Sequence, residues 1–449
     1  MRVGGLLVAL AALVLAAPAA ADDWWPHPSD VSWEYTWQDS VYATTPTKEK
    51  VTLKSQKNKS FTLAWTTDQE GNPDDAIAGN GTMDFTESTY GFTNTNWSST
   101  PPPPDFPVLC ASTAQCGNTL SDTLYYLIWG SRSPVLFEPL LKGESWSSTG
   151  GQANDVTSTS TYLGTEQIKV AAFKDPITAA KVKTDVTQAG AQGDPYGSGV
   201  RTIWWVFGVG PVKMEFQHAG GTNAALTTSE LQSTSLTPKT PPDDTNYFPL
   251  TKGQKLRYRW TNKKHLKKPE VEEFNVDASI NQTARFVVKN ISGPIRVAGS
   301  YVYSTRVDGV TNVAAATKAA TLAKLPPLGP KSAPKDQRRH FFTPFDLMNF
   351  GMNPILTAYP SAGDTWATKN PSRDFSVYGV NGSSKILGLQ TVKVPAGTFH
   401  ALAISSTLSQ PGFPFGSGTR TSWFAPDKGL VKLVFRHGDR STSTVELLK

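Results

Sequence analysis

The sequence predicts a mainly β protein made of two tandem domains, each a curved, half-barrel-like antiparallel sheet with a few short helices. Three observations predict this class. Apolar and polar side chains alternate over many short stretches, Gly, Pro, Ser and Thr separate those stretches, and one long segment is repeated. Alternation with a period of two buries one face of a strand, and the intervening residues are those that turns require.

The alternation is clearest in four segments, residues 60–65, 255–260, 301–307 and 431–435. Residues 122–129 and 344–350 are predicted as short helices at corresponding places in the two halves. Residues 312–325 are rich in Ala, begin with the capping residue Asn312 and end before two prolines, which predicts a third helix. We therefore expect antiparallel sheet interrupted by three short helices.

The strongest evidence for two domains is an internal repeat. Residues 195–218 align without a gap on residues 414–437 at an offset of 219, and 12 of these 24 positions are identical. A period above 200 residues indicates a duplicated domain, because solenoid repeats are far shorter. The expected organisation is a signal peptide at 1–21, a first β domain at 22–236, a linker at 237–244 and a second β domain at 245–449.

The amino terminus predicts export. Arg2 precedes an apolar stretch at residues 6–15, and three alanines at residues 19–21 precede two aspartates, which is typical of a cleavable secretory signal. A retained anchor is the alternative, but the apolar stretch is shorter than the roughly 20 residues that span a bilayer. We expect a secreted or extracytoplasmic protein with no transmembrane segment after cleavage.

Cysteine and acidic residues raise the question of metals. Cys110 and Cys116 are the two cysteines, and their closeness in an exported chain favours a disulfide that closes one local loop. Oxygen-bearing residues alternate within residues 68–75, as in a calcium loop, but Pro73 replaces the required Gly and the closing Glu is missing. A solvated acidic turn is the other interpretation, and no metal or cofactor is assigned.

Charge differs between the halves. Residues 22–236 carry 13 Lys and Arg against 23 Asp and Glu, a balance of −10, whereas residues 237–449 carry 29 against 14, a balance of +15. Either the halves attract each other, or the basic half faces a polyanion such as wall polymer or anionic lipid, or these are simply solvated faces. The candidate basic patch is Lys263, Lys264, Lys267, Lys268, Arg338 and Arg339.

The repeated motif places Gly-Ser-Gly before Arg-Thr-X-Trp, which predicts a turn that leads into a strand with the Trp on its inward face. Its residues are assigned a structural role: Arg201, Trp204 and His218, with Arg420, Trp423 and His437. A phosphate loop would need a following helix, and a metal shared by the two His residues is a further alternative. No catalytic motif is present, so no catalytic residue is assigned.

Four motifs of the second half carry a family resemblance: Tyr-Phe-Pro-Leu at 247–250, Lys-Val-Pro-Ala-Gly-Thr-Phe at 393–399, Trp-Phe-Ala-Pro at 423–426 and Gly-Leu-Val-Lys at 429–432. They resemble a large bacterial family of exported proteins of unknown function. That family is similar in architecture to half-barrel envelope proteins of the LolA and LppX type, lipoprotein carriers whose curved sheet wraps apolar material. The resemblance is degraded in the first half and implies no catalytic residue.

Three functions are consistent with these features. The leading hypothesis is a secreted, non-enzymatic binding protein of the cell envelope or exterior that holds an apolar or amphipathic, lipid-like ligand in a curved sheet, because 13 Trp and 21 Phe could line a greasy groove. The first alternative is a structural or adhesive wall protein that contacts anionic polymer through its basic half. The second is a hydrolase without a recognisable motif. No nucleic-acid partner is expected.

Overall fold

The computed structural model describes residues 23–68, 79–88, 90–99, 123–150, 156–188, 195–219, 224–329, 340–369 and 379–449. Within them the chain forms two large, curved antiparallel sheets, one nearly barrel-shaped, and two short α-helices. The predicted mainly β class is therefore confirmed. The first sheet lies between Ser32 and Thr234, and the second lies between Lys255 and Leu447.

The first sheet has 12 strands. In chain order its elements are β1 Ser32–Asp39, β2 Ala43–Lys57, β3 Ser60–Asp68, β4 Asn80–Ser88, β5 Gly91–Ser99, α1 Thr123–Ile128, β6 Leu136–Phe137, β7 Ser145–Gly150, β8 Val156–Ile168, β9 Ile177–Gln188, β10 Gly199–Val206, β11 Gly210–His218 and β12 Leu226–Thr234. Their order in space is β6-β5-β4-β3-β2-β1-β12-β11-β10-β9-β8-β7. The first and last strands are thus neighbours at the middle of the sheet.

The second sheet has 11 strands. Its elements are β13 Lys255–Asn262, β14 Glu270–Ile280, β15 Thr283–Ser292, β16 Ile295–Arg306, β17 Gly309–Thr321, α2 Pro344–Asn349, β18 Thr365–Lys369, β19 Asn381–Val394, β20 Gly397–Ser409, β21 Gly418–Ala425, β22 Gly429–His437 and β23 Thr442–Leu447. Their order is β17-β16-β15-β14-β13-β23-β22-β21-β20-β19-β18. Again the first and last strands pair at the middle.

The two sheets have the same connectivity. Helix α1 follows β5 and helix α2 follows β17, and in each half the chain then crosses to the opposite edge of the sheet, at β7 and β18. Even the short β6 has a counterpart, because Leu136 pairs with Phe92 in the first sheet and Leu356 forms an isolated bridge with Val310 in the second.

Both helices are buried against the inward faces of their sheets. All six residues of each helix are buried. Helix α2 begins at the N-cap Thr343, whose side chain and that of Asp346 form a capping box, with Pro344 in the first turn. The Phe345 ring stacks on Phe274 with centroids 3.9 Å apart, and Tyr126 of α1 meets Phe216 edge to face. The described part of each inward face is therefore a packed aromatic core.

The predicted helix at residues 312–325 is wrong. Most of this segment belongs to β17, which pairs with β16 from Gly309↔Arg306 to Thr321↔Ile295. Ala favours helices by only a fraction of a kcal/mol per residue, and an isolated helix of this length is marginal without a face to bury. Pairing with a long neighbouring strand supplies the backbone hydrogen bonds instead, so tertiary context overrides the propensity.

Candidate functional site

The two sheets meet along a seam to which both halves contribute hydrogen bonds. Three of these bonds are Leu140 N to Tyr359 Oη at 2.9 Å, Gln282 Nε2 to Pro139 O at 3.1 Å and Ser147 N to Asn281 Oδ1 at 2.9 Å. The Arg306 guanidinium also lies 5.5 Å from the centre of the Tyr90 ring, within cation–π range. The seam is thus a specific contact between the halves.

A cleft of about 300 Å³ opens along this seam. Its walls come from the turn and strand around β7 in the first half, and from the segment just before β13 and the β14–β15 turn in the second. The lining includes Glu144, Ser145 and Trp146 on one side, and Lys252, Ile280 and Asn281 on the other. The volume lies at the lower limit of small-molecule sites, which suits a compact group.

The polar groups of the cleft come from both halves. The Glu144 carboxylate accepts a hydrogen bond of 2.6 Å from Asn246 Nδ2. Burial raises the pKa of Glu144, and its hydrogen bonds with Asn246 and the Leu250 backbone oppose that rise. Lys252 is exposed on the opposite wall. A carboxylate and an ammonium group therefore line one small cleft.

The apolar part of the cleft depends on a tight turn. Asn281, between β14 and β15, has a φ of 45°, and the following Gln282 has a φ of 53°. Two successive left-handed residues are typical of a two-residue hairpin turn, and Asn tolerates this conformation better than most residues. The turn leaves Ile280 69% exposed at the cleft. The cleft therefore presents both an aliphatic side chain and hydrogen-bonding groups.

The repeated arginines hold the two helices. Arg201 donates to the carbonyl oxygens of Tyr126 and, at 2.6 Å, Trp129. Arg420 makes the matching pair, to Leu347 O at 2.6 Å and Phe350 O at 2.7 Å. Each guanidinium thus binds carbonyls at the carboxyl end of a helix, where the helix dipole favours a cation.

Burial lowers the pKa of both guanidinium groups, to about 9 in each case. Since both arginines are almost completely buried among backbone carbonyls, they have no access to a ligand in this structure.

The repeated histidines occupy matching positions in separate sheets. His218 Nδ1 bonds Tyr196 O at 2.5 Å, and its Nε2 bonds Thr227 Oγ1 at 2.7 Å. His437 bonds Phe415 O at 2.6 Å and Ser443 Oγ at 2.8 Å in the same way. The two rings are not brought together. Across the described ranges, no group of three or more His, Cys, Asp and Glu residues could hold a metal ion.

The repeated tryptophans do not share the inward face with the arginines. Trp204 lies opposite Lys181 and Lys213 on the neighbouring strands, and their ammonium groups lie 5.3 and 4.9 Å from its ring centre. The predicted inward Trp is therefore wrong for Trp204 and, by the same spacing, for Trp423. Residues three apart in a strand point to opposite faces, so an inward Arg requires an outward Trp.

Four lysines of the predicted basic patch lie together. Lys263, Lys264, Lys267 and Lys268 are all exposed in the turn between β13 and β14. The turn is fixed by Asn262, whose side-chain oxygen accepts from two backbone N–H groups, and by a hydrogen bond of 2.7 Å between His265 Nε2 and Asp439 Oδ2. Lys264 also donates to Asp439 O at 2.7 Å. The remaining patch residues, Arg338 and Arg339, lie outside the described residues.

Three other expectations also fall outside the described ranges. These are the signal peptide, the disulfide between Cys110 and Cys116, and nearly all of the acidic loop at residues 68–75. They stay predictions. No helix of the described ranges is long and apolar enough to cross a membrane.

Sequence reasoning missed a set of buried carboxyl groups at matching places. Glu49 lies opposite Tyr35 in the β1–β2 pair, and Glu272 lies opposite Tyr258 in the β13–β14 pair. Asp39, the last residue of β1, was missed as well. An alternation count shows that these residues fall on the apolar face of their strands, and this signal could have identified them.

Comparison with known proteins gives fold likenesses only. No model of a known protein family matches the sequence. No curated protein matches it. Among solved structures, a Bacteroides fragilis protein named as a predicted exported protein with a YmcC-like fold is 14% identical, with a TM-score of 0.26, over 45% of this chain and 97% of that one. A predicted lipoprotein of Parabacteroides distasonis is 12% identical, with a TM-score of 0.25, over 47% and 98%.

A third solved structure spans nearly the whole chain. Kievitone hydratase of Nectria haematococca is 10% identical, with a TM-score of 0.11, over 97% of this chain and 94% of the other. At these TM-scores none of the three likenesses carries an argument about function.

Proposed function

We propose that this chain is an exported, non-enzymatic binding protein that holds the polar head of an amphipathic ligand in the seam cleft. The observation that carries the proposal is the lining of that cleft, where Glu144 and Lys252 offer opposite charges and Ile280 offers an exposed aliphatic side chain. Export follows from the predicted signal peptide. The ligand site differs from the one expected from sequence, the inward face of a sheet, because the described inward faces are packed with aromatic side chains.

The charges and size of the cleft suggest the class of ligand. A head group that carries both a cation and an anion can pair with Glu144 and Lys252 at once, and its first methylenes can lie on Ile280. A partly buried ion pair is worth more than an exposed one, and apolar burial adds about 25 cal/mol per Å². A single-chain zwitterionic lipid therefore fits better than a large planar molecule.

The proposal is tested by titrating the purified full chain with dodecylphosphocholine below its micelle concentration, with isothermal calorimetry as the readout. Thr251 is an exposed residue of the cleft wall. Thr251→Trp should fill the cleft and weaken binding at least tenfold, a loss of about 1.4 kcal/mol. Thr45→Trp, at an exposed position of β2, is the matched control and should bind like the parent. Equal affinity in both variants would refute the seam cleft as the site.

A second candidate function is contact with anionic polymer, and it rests on the lysines of the β13–β14 turn. Four lysines are exposed within six residues, on a turn that is held in place by Asn262 and the His265–Asp439 hydrogen bond. Because the turn is already ordered, the cluster of like charges can attract a polyanion without an entropy cost for ordering the turn. This attraction weakens as the salt concentration rises.

This second candidate is tested by retention on immobilised long-chain polyphosphate in a salt gradient. Replacing Lys263, Lys264, Lys267 and Lys268 by Gln should move elution to clearly lower salt. The matched control replaces four exposed lysines of β2 in the first half by Gln: Lys48, Lys50, Lys54 and Lys57. If both quadruple variants elute alike, the turn is not a polymer-binding surface and the shift reflects net charge alone.

A further inference from the structure

Strand β17 forms one outer edge of the second sheet. On its inner side it pairs with β16 along its full length. On its outer side Val310 donates its N–H to Leu356 O at 2.8 Å and accepts from Ile355 N at 2.8 Å. For residues 311–321, no other described segment supplies a backbone hydrogen bond to that outer side. The strand therefore continues well beyond its last described neighbour.

The outward groups of this edge can be identified residue by residue. The N–H of Leu322 donates to Pro294 O, on the β16 side. Because alternate residues direct their backbone groups to the same side, Ala315, Thr317, Ala319 and Thr321 point their N–H and C=O groups away from β16. The bulge opposite Val302 and Tyr303 adds one residue to β17, so the alternation after the bulge is shifted by one residue relative to the earlier part of the strand. These four residues span roughly 20 Å of edge.

The corresponding edge of the first sheet is covered. Strand β5 is nine residues long against 13 for β17. Phe92 O accepts from Val135 N at 2.7 Å, Asn94 N donates to Arg132 O at 2.8 Å, and the Arg132 guanidinium lies 4.0 Å from the centre of the Trp97 ring. Arg132 and its loop thus cover the edge of the first sheet. The edge of the second sheet is longer, and no described residue covers it in the same way.

The side chains of β17 suit a close neighbour strand. Between the bulge and Thr321 they are Ala and Thr apart from Lys318, and no proline is present. Proteins guard free edges with charges, prolines or bulges, and a long edge with one charge after the bulge is weakly guarded. We propose that β17 is a pairing edge for β17 of a second copy of this chain, in an antiparallel arrangement about a twofold axis that joins two second sheets into one.

The position of the single charge selects a register. With Ala316 opposite its twin, Ala315 lies opposite Thr317, and outward residues face outward residues as the ladder requires. The two Lys318 side chains are then four residues apart along the strands, roughly 13 Å, which exceeds the Debye length of about 8 Å at physiological salt. In this register the outward groups of Ala315 and Thr317 pair with those of Thr317 and Ala315 in the second copy, and the lysines do not oppose each other, so β17 is complementary to itself.

The register is tested by cross-linking. Facing residues in an antiparallel pair have Cβ atoms about 4.5–5.5 Å apart, close enough for a disulfide after minor adjustment. Ala316→Cys should give a covalent dimer of the full chain on mild oxidation, visible on a non-reducing gel. Ala320→Cys, on the same strand, should stay monomeric because its twin is eight residues away. A dimer from both variants, or from neither, would overturn the proposed pairing.

The edge itself is tested by sedimentation velocity over a range of protein concentrations. The parent chain should shift from monomer to dimer as concentration rises. Thr317→Pro removes one outward N–H and no hydrogen bond to β16, so it should fold and stay monomeric, because proline is tolerated where the N–H faces solvent. Thr317→Val keeps the N–H and should dimerise. The thermal melting curve verifies that Thr317→Pro is folded; a monomeric parent, or a dimeric proline variant, contradicts the proposal.

Discussion

The buried polar centres of the two halves share a frame and differ in charge. In both, an arginine binds helix carbonyls and a histidine bridges a backbone carbonyl and a hydroxyl. In the first half Asp39 completes the centre, and it accepts from Tyr196 Oη at 2.9 Å and Thr227 Oγ1 at 2.7 Å. In the second half the last residue of the equivalent strand is Asn262, and its amide donates to Ser441 and Ser443.

The difference shows which parts of the centre depend on one another. The repeat alignment places Phe415 where the first half has Tyr196. A buried carboxylate needs hydroxyl donors, so Asp39 and Tyr196 belong together. An amide supplies its own donors, so beside Asn262 the phenol hydroxyl is dispensable and a phenyl ring packs in its place. The arginine does not depend on this exchange, because its partners are main-chain carbonyls.

The largest loss of stability is therefore expected when the arginine that both halves share is replaced. Arg201→Met or Arg420→Met removes two bonds from a buried guanidinium to helix carbonyls, and the free energy of unfolding should fall by about 3–5 kcal/mol in either case. Chemical denaturation of each variant measures the loss. The control is Arg285→Met, whose guanidinium is exposed and pairs with Asp277, and it should change stability by less than about 1 kcal/mol. A small effect at Arg201 or Arg420 would mean that packing alone holds the helices.

The effect on stability of exchanging Asp39 and Asn262 should depend on the residues that surround each of them. Asp39→Asn leaves hydroxyl donors facing an amide, and we expect a loss of about 2–3 kcal/mol. Asn262→Asp buries a carboxylate beside Phe415 without a phenol donor and should cost about as much.

The double variant Asn262→Asp with Phe415→Tyr restores the pair found in the first half. It should recover at least about 1 kcal/mol relative to the sum of the single changes. Strict additivity in this cycle, measured by denaturant unfolding, would show that the two exchanges are independent.

The sequence predicted what depends on side-chain period and repetition, and it missed what depends on contacts distant in the chain. Alternation and the Gly-Ser-Gly repeat predicted the sheets, and the helices α1 and α2 lie where they were expected. The Ala-rich strand β17 was missed because its partner strand outweighs propensity. The cleft could not be predicted, since the residues around Glu144 and Ile280 are more than 130 positions apart and meet only when the halves pack.

The buried glutamates at matching places, Glu49 and Glu272, should make the stability of the two halves depend on pH to different extents. Burial raises the pKa of Glu49 from 4.5 to about 7, opposed by hydrogen bonds with Thr123, and raises that of Glu272 well above 4.5. Among the described residues, neither Glu272 oxygen has a hydrogen-bond partner. Because the folded pKa exceeds the unfolded one, the stabilising effect is complete below pH 4.5 and is lost as pH rises through the folded pKa.

Glu272→Gln should therefore gain stability relative to the parent as pH rises from 5 to 7, by about 2 kcal/mol. Glu49→Gln should gain in the same direction but less, because the Glu49 carboxylate accepts a hydrogen bond of 2.8 Å from Thr123 N. Unfolding curves at several pH values give both slopes. A stability difference from the parent that does not vary with pH at Glu272 would show that this carboxyl group is ionised in the folded state.

The smallest effect is expected on the outward face, where the two repeated tryptophans have different neighbours. Lys213 lies over Trp204 at 4.9 Å from the ring centre, and Trp204 Nε1 donates to Glu166 at 2.6 Å. Trp423, although Lys432 lies opposite it in the register, donates to Gln390 at 3.0 Å. Lys213→Met should lower the free energy of unfolding by about 0.5–1 kcal/mol, the usual size of an exposed cation–π contact, whereas Lys432→Met should change it by less. Methionine keeps most of the lysine stem but loses the charge, so equal losses in denaturant unfolding would show that the position of the Lys213 ammonium group over the Trp204 ring adds no specific stability.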